Sequence, residues 1–360
     1  MIKVIKMNKN DKMILKKLLS KSEESRIQHS WEWINSIEKT YDNCKLKYYF
    51  VLEDEEIIGG IPFIFTKSKL FGNKLISMPF VDNGGFIGTL KKEEISNLIE
   101  NVKKDNENIE FIQIRLNSHM KNYKEISMVL KEKGFKKNLE RHQFILELKN
   151  PEELKKELSK SAKRMIKTAE KNNLILVNIE NKKELNNFYK LYFKNMKSFG
   201  TPQHPKEFFK NLWEGLYPKN IKGFNCYYGE KHIASMVCYL WKDYVYYIYS
   251  FSNPKYLKLG PKDFLYWNFI KWSVENNYKW FDFGQVEINA EEGSHAKGIY
   301  NFKNKWGGKI YERPYFNYNF RKENSKESKN KLKKYRKIWS KLPTPLIKAI
   351  GPKICSELGI

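Results

Sequence analysis

The stretch that decides the fold runs from Tyr244 to Gly284: YVYYIYSFSNPKYLKLGPKDFLYWNFIKWSVENNYKWFDFG. Tyr244 to Ser252 is a run of aromatic and β-branched residues that reads as a strand. Asn253 to Lys262 holds Pro254, Gly260 and Pro261, so the chain turns there. Asp263 to Asn277 carries a broad apolar face at helical spacing, and Tyr278 to Gly284 returns as a strand. Strand, phosphate-sized loop, helix, strand is a βαβ unit, and its crossover should be right-handed.

Upstream of this unit, QHPKEFFKNLWE from Gln203 and the following NIKGFNCYYGEKHIASMVCYL align without a gap on QHSWEWINSIEK and KLKYYFVLEDEEIIGGIPFIF, 175 residues earlier. The identical pairs include Gln28/Gln203, His29/His204, Glu32/Glu207 and Glu55/Glu230. In both copies a helix-period segment leads into two apolar runs around a short polar turn, Glu53 to Glu56 in one and Gly229 to His232 in the other. A helix over Lys91 to Lys104 and a strand over Ile109 to Leu116 repeat the βαβ theme more faintly in the first copy. Two related α/β domains are therefore expected, at 1–150 and 151–320, the second opened by Pro151 at the first turn of a helix. The segment 321–360 reads as a basic helical tail. Its Leu346, Ile347, Ile350, Ile354 and Leu358 form a candidate apolar stripe, for docking on the body or on an anionic membrane.

Composition narrows the class. With 41% hydrophobic and 15% aromatic residues, the 360-residue chain can bury one large core or two ordinary ones, which excludes global disorder. No uncharged stretch approaches the roughly 18 apolar residues of a membrane helix. The amino terminus, MIKVIKMNKNDKM, is interrupted by charges every few residues, so no secretory signal is expected and the cytoplasm is the expected compartment. Cys44, Cys226, Cys238 and Cys355 lie far apart without metal-ligand spacing, and neither a disulfide framework nor a metal site is expected. The net charge of +26 points to an anionic partner, although only seven of the 67 cations are Arg, the side chain best suited to reading bases. Between Lys155 and Lys171 seven cations face two acids.

The carboxy-terminal half resembles the Fem family of aminoacyltransferases, within the GNAT-type N-acyltransferase fold. The matching pieces are SAKRMIKTAEKNNLILV, FGTPQHPKEFFKNL, the Tyr247 to Gly284 segment, GIYNFKNKWGG and LPTPLIKAIGPKI, with QHSWEW and MPFVDNGGFIG in the first half. The resemblance implies two tandem GNAT-like domains, each a mixed twisted sheet flanked by helices, with a cleft between them. It also implies transfer of an activated acyl group to an amine of a cell-wall or exopolysaccharide precursor. In Fem enzymes the donor is aminoacyl-tRNA, so the protein has mainly to position amine and carbonyl and to steady an oxyanion. No tightly bound cofactor is expected, and acyl-CoA or an acyl carrier is the alternative donor. A non-catalytic nucleic-acid or membrane-surface binding protein is the rival from another class, and DNA is not an expected partner.

Lys303 matches a functionally required lysine of the family, and a cation there suits a developing oxyanion. Asp282, in FDFG, is the candidate to orient or deprotonate the attacking amine; capping a neighbouring loop is its alternative role. Gly284, Tyr249 and Trp306 complete the candidate contacts in the second half, with His204 in the Thr201–His204 motif. Asp82, Asn83 and Gly84 form a tight turn in the first domain, near Arg115 at a strand end, where an arginine suits a carboxylate, a phosphate or an interdomain ion pair. Lys163 and Arg164 are candidates for donor or acceptor phosphates, with a solvated face as the alternative. The loop KYLKLGPKD occupies the place where GNAT enzymes grip coenzyme A. Lys258, Gly260 and Lys262 are its candidate cofactor contacts, but Pro261 has no N–H to give a phosphate.

Overall fold

The computed structural model describes residues 3–6, 12–69, 71–82, 84–139, 141–321 and 338–359. They fall into two compact units, one drawn from Met1–Glu140, Glu312–Tyr335 and Pro343–Ile360, the other from Arg141–Tyr311 and Arg336–Leu342.

The first unit contains β1 (Lys3–Lys6), α1 (Lys12–Lys21), α2 (Trp31–Thr40), β2 (Cys44–Glu53), β3 (Glu56–Thr66), β4 (Lys74–Ile76), β5 (Ile87–Gly88), α3 (Lys92–Lys104), β6 (Phe111–Arg115), α4 (Tyr123–Glu132) and β7 (Lys136–Asn138). The sheet runs β1-β2-β3-β4-β6, then the strand Tyr315–Asn319, then β7, with β5 against β3. Only β4 and β6 are parallel, and α3 is the crossover between them. Its buried Ile95, Leu98, Ile99 and Val102 lie at helical spacing on one stripe. They join Tyr49, Ile61, Phe63, Leu75, Ile112 and Ile114 of the sheet in one core.

The second unit contains β8 (His142–Glu147), α5 (Pro151–Glu157), α6 (Lys160–Lys171), β9 (Ile175–Asn178), α7 (Lys182–Ser198), α8 (Lys206–Leu216), β10 (Ile221–Tyr228), β11 (Lys231–Trp241), β12 (Tyr244–Ser252), a 3-10 turn Pro254–Leu259, α9 (Pro261–Glu275), β13 (Trp280–Val286), α10 (His295–Asn304) and β14 (Lys309–Glu312). Its sheet runs β14-β8-β13-β12-β11-β10-β9. β12 and β13 are the parallel pair, with α9 as crossover.

The repeat is visible residue by residue. β3 and β11 coincide at the 175-residue offset, and α2, β2 recur as α8, β10. His29 and His204, at the same offset, are both buried and held neutral, each pKa pushed down to about 3 by burial; at His29 the neighbouring Arg26 adds to the effect. Two exchanges depart from the linear reading. The strand HQFILEL, placed before the expected boundary at 150, pairs with β13 in the second sheet, and Tyr315–Asn319 crosses back to pair with β6 in the first. Register along a neighbouring strand, rather than sequence order, decides which sheet a strand joins.

In the carboxy-terminal segment the helix Thr344–Leu358 packs on the first unit, its Ile347, Gly351 and Cys355 buried and Leu346 exposed. Of the expected stripe Ile347 is buried, Ile350, Ile354 and Leu358 are half-buried and Leu346 is exposed, so the buried face is turned partly away from it. Lys74 Nζ donates to Leu358 C=O at 3.0 Å, Ser68 Oγ to Glu357 Oε2 at 3.0 Å and the Phe80 N–H to Gly359 C=O at 3.4 Å. A cation at the last turn of a helix satisfies both an orphan carbonyl and the negative end of the dipole. Among the described residues no helix is long and apolar enough to cross a membrane, and no cluster of His, Cys, Asp and Glu is placed to hold a metal ion.

Candidate functional site

The site begins where two parallel strands part. β12 and β13 pair only at Tyr244/Trp280, Val245/Phe281 and Tyr246/Asp282. Beyond that level both strands carry a bulge: β12 gains a residue against β11 between Tyr247 and Tyr249, and β13 gains one against β8 between Asp282 and Gln285. A bulge bends its strand and breaks the ladder. In β13 the extra residue is accommodated at Gly284, in the left-handed region at φ +73°, and the Asp282 carboxylate accepts the Gly284 N–H at 2.7 Å.

Lys303, from the last turn of α10, occupies the opening. Its side chain is 5% exposed; Nζ donates to the Gln285 carbonyl at 2.9 Å and lies 5.0 Å from the Tyr247 ring centroid. The ammonium thus meets β13 at the Gln285 carbonyl and β12 at the Tyr247 ring. A Cβ at Gly284 would stand 3.6 Å from this Nζ and 3.3 Å from Tyr247 Cδ1.

A cavity of about 530 Å³ opens around the lysine. β12 supplies Tyr247, Ser250 and Phe251 to its wall, β13 supplies Gln285, and the turn and start of α9 supply Leu257, Gly260, Pro261, Lys262, Asp263 and Tyr266. Phe199 and, from α10, His295, Ile299 and Phe302 close it. Aromatic and aliphatic surface dominates, so a charge in this space is screened less than in water. Asp263 is the one carboxylate of the wall; burial raises its pKa, and Lys305, hydrogen-bonded to it, draws it back down. Lys262, also on the wall, is pushed below its ordinary value by burial. Ser250 Oγ is buried with no hydrogen-bond partner among the described residues.

The start of α9 carries a proline and an acid. Pro261 occupies the first helical position and offers no N–H, and Asp263 sets a negative charge in the first turn. Gly260 packs so closely on α6 that a Cβ would stand 2.4 Å from the Met165 carbonyl.

Of the residues singled out from sequence, Lys303, Gly260 and Lys262 are brought together on this wall, with Gly284 directly beneath the lysine. Asp282, proposed for catalysis, is 2% exposed, is absent from the wall and pins the bulge. Trp306 stacks on Tyr266 at 5.6 Å in the core. His204 stacks on Phe208 at 4.0 Å, and Tyr249 lies 5.3 Å from Phe209; both belong to an aromatic cluster outside the wall. Lys258 is exposed on the 3-10 turn, and Lys163 and Arg164 lie on α6. In the first unit Asp82 accepts from Arg313 at 2.8 Å, and Arg115 donates to Gln113 Oε1 at 2.9 Å, to the Val81 carbonyl at 2.6 Å and to the Gly359 carbonyl at 3.4 Å, with its guanidinium over the Tyr315 ring. Gly84 shares with Arg115 and His29 a crevice of about 10 Å³, at the lower limit for one water. Asn83 lies outside the described residues.

Sequence reasoning missed Tyr247, Gln285, Asp263 and Lys305. Gln285 acts through its carbonyl, which leaves no mark in the side-chain pattern, and Asp263 meets Lys305 across 42 positions. Asp263 alone had a local signal, an acid three residues after the glycine that precedes a helix.

Residues 156–304 match the family model described as acetyltransferase (GNAT) domain. That match lies wholly within the second unit. Among solved structures the chain is similar to FemX, at 14% identity and a TM-score of 0.71, over 92% of this chain and 100% of that one. It is also similar to L-PGS from Bacillus licheniformis, at 10% identity and TM-score 0.56 over 89% and 95% of the two chains. A tandem GNAT protein from the clavulanic acid biosynthesis pathway matches at 7% identity and TM-score 0.53 over 90% and 100%. No curated protein matches. The whole chain thus has the tandem GNAT fold of the Fem type.

Proposed function

We propose that the chain is an N-acyltransferase that moves an aminoacyl group from aminoacyl-tRNA to an amine of a cell-wall or exopolysaccharide precursor. The observation that carries this reading is Lys303: a buried ammonium in the opening between β12 and β13, facing a cavity walled mostly by apolar surface. The neutral acceptor amine attacks the ester carbonyl, the C–N bond forms and the carbonyl becomes a tetrahedral oxyanion. Lys303, held in place by the Gln285 carbonyl and largely shielded from solvent, steadies that charge, and such preorganised electrostatics contributes most where water is excluded. Collapse breaks the ester C–O bond, and the ribose hydroxyl leaves with the proton lost by the amine.

The occupied start of α9 supports an ester donor over coenzyme A, since the proline and the Asp263 carboxylate stand where a diphosphate would need donors. The likeness to FemX supports a cell-envelope acceptor. The test supplies the purified protein with tRNA charged by labelled amino acids and with amine-bearing envelope precursors. Label recovered in an amide of the precursor is expected. Transfer from acetyl-CoA with none from charged tRNA, together with tight coenzyme A binding by calorimetry, would overturn the donor assignment.

A further inference from the structure

The geometry points to the outward face of α6 as the track for the phosphate backbone of a nucleic acid strand whose end enters the Lys303 cavity. The inference rests on the proposed RNA-borne donor. On its inner side α6 buries Ala162, Ile166 and Ala169 completely. On the opposite side Lys160, Arg164, Lys167 and Lys171 are all exposed, at spacings of four, three and four residues, and span roughly 16 Å at the helical rise. None of the four has an ion-pair partner among the described residues, and Glu170, the one acid on the helix, forms no ion pair with them.

The arrangement works against the helix. Like charges three and four residues apart repel, and α6 has no acid in its first turn, where Lys160 meets the positive end of the dipole. By contrast α3, α5 and α7 each place glutamate there. A row of cations that folding does not favour is accounted for by an anionic partner.

The face continues toward the site. The 3-10 turn Pro254–Leu259 packs on α6 and adds exposed Lys255 and Lys258, and Gly260, which closes it, is locked against Met165. Leu257 and Gly260 of this same connection line the cavity. A regularly spaced row of phosphates matches a row of cations one helical turn apart. A bilayer matches it less well, because a helix lying on lipid turns its apolar side to the membrane, and that side of α6 is already in the core.

The test measures binding of an uncharged RNA hairpin with a single-stranded CCA end to the full chain by fluorescence anisotropy from 50 to 200 mM KCl. The comparison protein carries Lys160→Gln, Arg164→Gln, Lys167→Gln and Lys171→Gln. Each lost phosphate contact lowers the slope of log K against log salt by about 0.7 to 0.9, so the variant should have a slope shallower by about three and should bind at least tenfold more weakly at 50 mM. Its Tm should equal or exceed that of the wild type, since repulsion is relieved. An unchanged slope, a lower Tm, or loss of binding only to vesicles of anionic phospholipid would overturn the assignment. If the variant still transfers label from charged tRNA with an unchanged KM, this inference fails and the donor reading stands. If the wild type binds the hairpin as described but transfers nothing from charged tRNA, the donor reading fails and the binding face stands.

Discussion

At the scale of single residues, the site is held by small, specific fits. Gly284 sits at φ +73° beside Lys303, where a side chain would be strained by the backbone and would press on Tyr247 at 3.3 Å. Gly284→Ala should cost about 1–2 kcal/mol by urea denaturation and move the lysine. Read from sequence, Asp282 is either an orienter of the amine or the cap of a neighbouring loop, and its carboxylate accepts the Gly284 N–H two residues on, as a cap does. Asp282→Asn keeps an oxygen for the Gly284 N–H, and turnover within a few-fold of wild type is expected. Asp282→Ala should lose about 1–2 kcal/mol of stability; a hundredfold loss of turnover in the asparagine variant at full stability would restore Asp282 to the chemistry. His29 and His204 give the fold an acid limit. Each binds a proton in the unfolded chain near its ordinary value but only near pH 3 when folded, so the unfolded state holds more protons as pH falls below about 6.5. Stability contributed by the neutral rings is complete above that pH and declines progressively down to about 3. In His204→Phe the acid limb, followed by circular dichroism, should be less steep; an unchanged limb would assign acid unfolding to other groups.

At the scale of elements, most of what repeats was legible and most of what diverges was not. The hairpin strands β3 and β11 follow from apolar runs flanking polar turns, and α9 follows from a broad apolar face after a proline- and glycine-bearing turn, although it begins at Pro261, two residues before the expected Asp263. The opening between β12 and β13 depends on bulges set against β11 and β8, and register against a distant strand has no local signature. The carboxy-terminal helix makes the same point. Its helical period was readable, but the buried face is chosen by what it meets, a first-unit surface that takes Ile347, Gly351 and Cys355. Ile347, fully buried, anchors it. Ile347→Ala should destabilise the first unit by about 2–4 kcal/mol in thermal or urea unfolding; a change below about 0.5 kcal/mol would mean that the helix is held by its polar grip on Lys74 and Ser68 instead.

At the scale of the whole molecule, duplication and divergence explain why one half carries the candidate chemistry. Both units keep the parallel strand pair with its helical crossover. In the first, Arg115 donates to the Val81 carbonyl and shares with Gly84 a crevice of about 10 Å³. In the second, the strands part around a cavity and a lysine enters from α10. The family match over 156–304 falls on that second half. The resemblance pointed to Lys303; its place between two parted strands required the fold.

The most direct measurement is single-turnover transfer of a labelled aminoacyl group by Lys303→Met, which keeps a long unbranched side chain while removing the charge. Turnover reduced by roughly 100- to 1,000-fold, with Tm nearly unchanged, is the result the account predicts. Turnover at the wild-type rate in a folded Lys303→Met protein would contradict it.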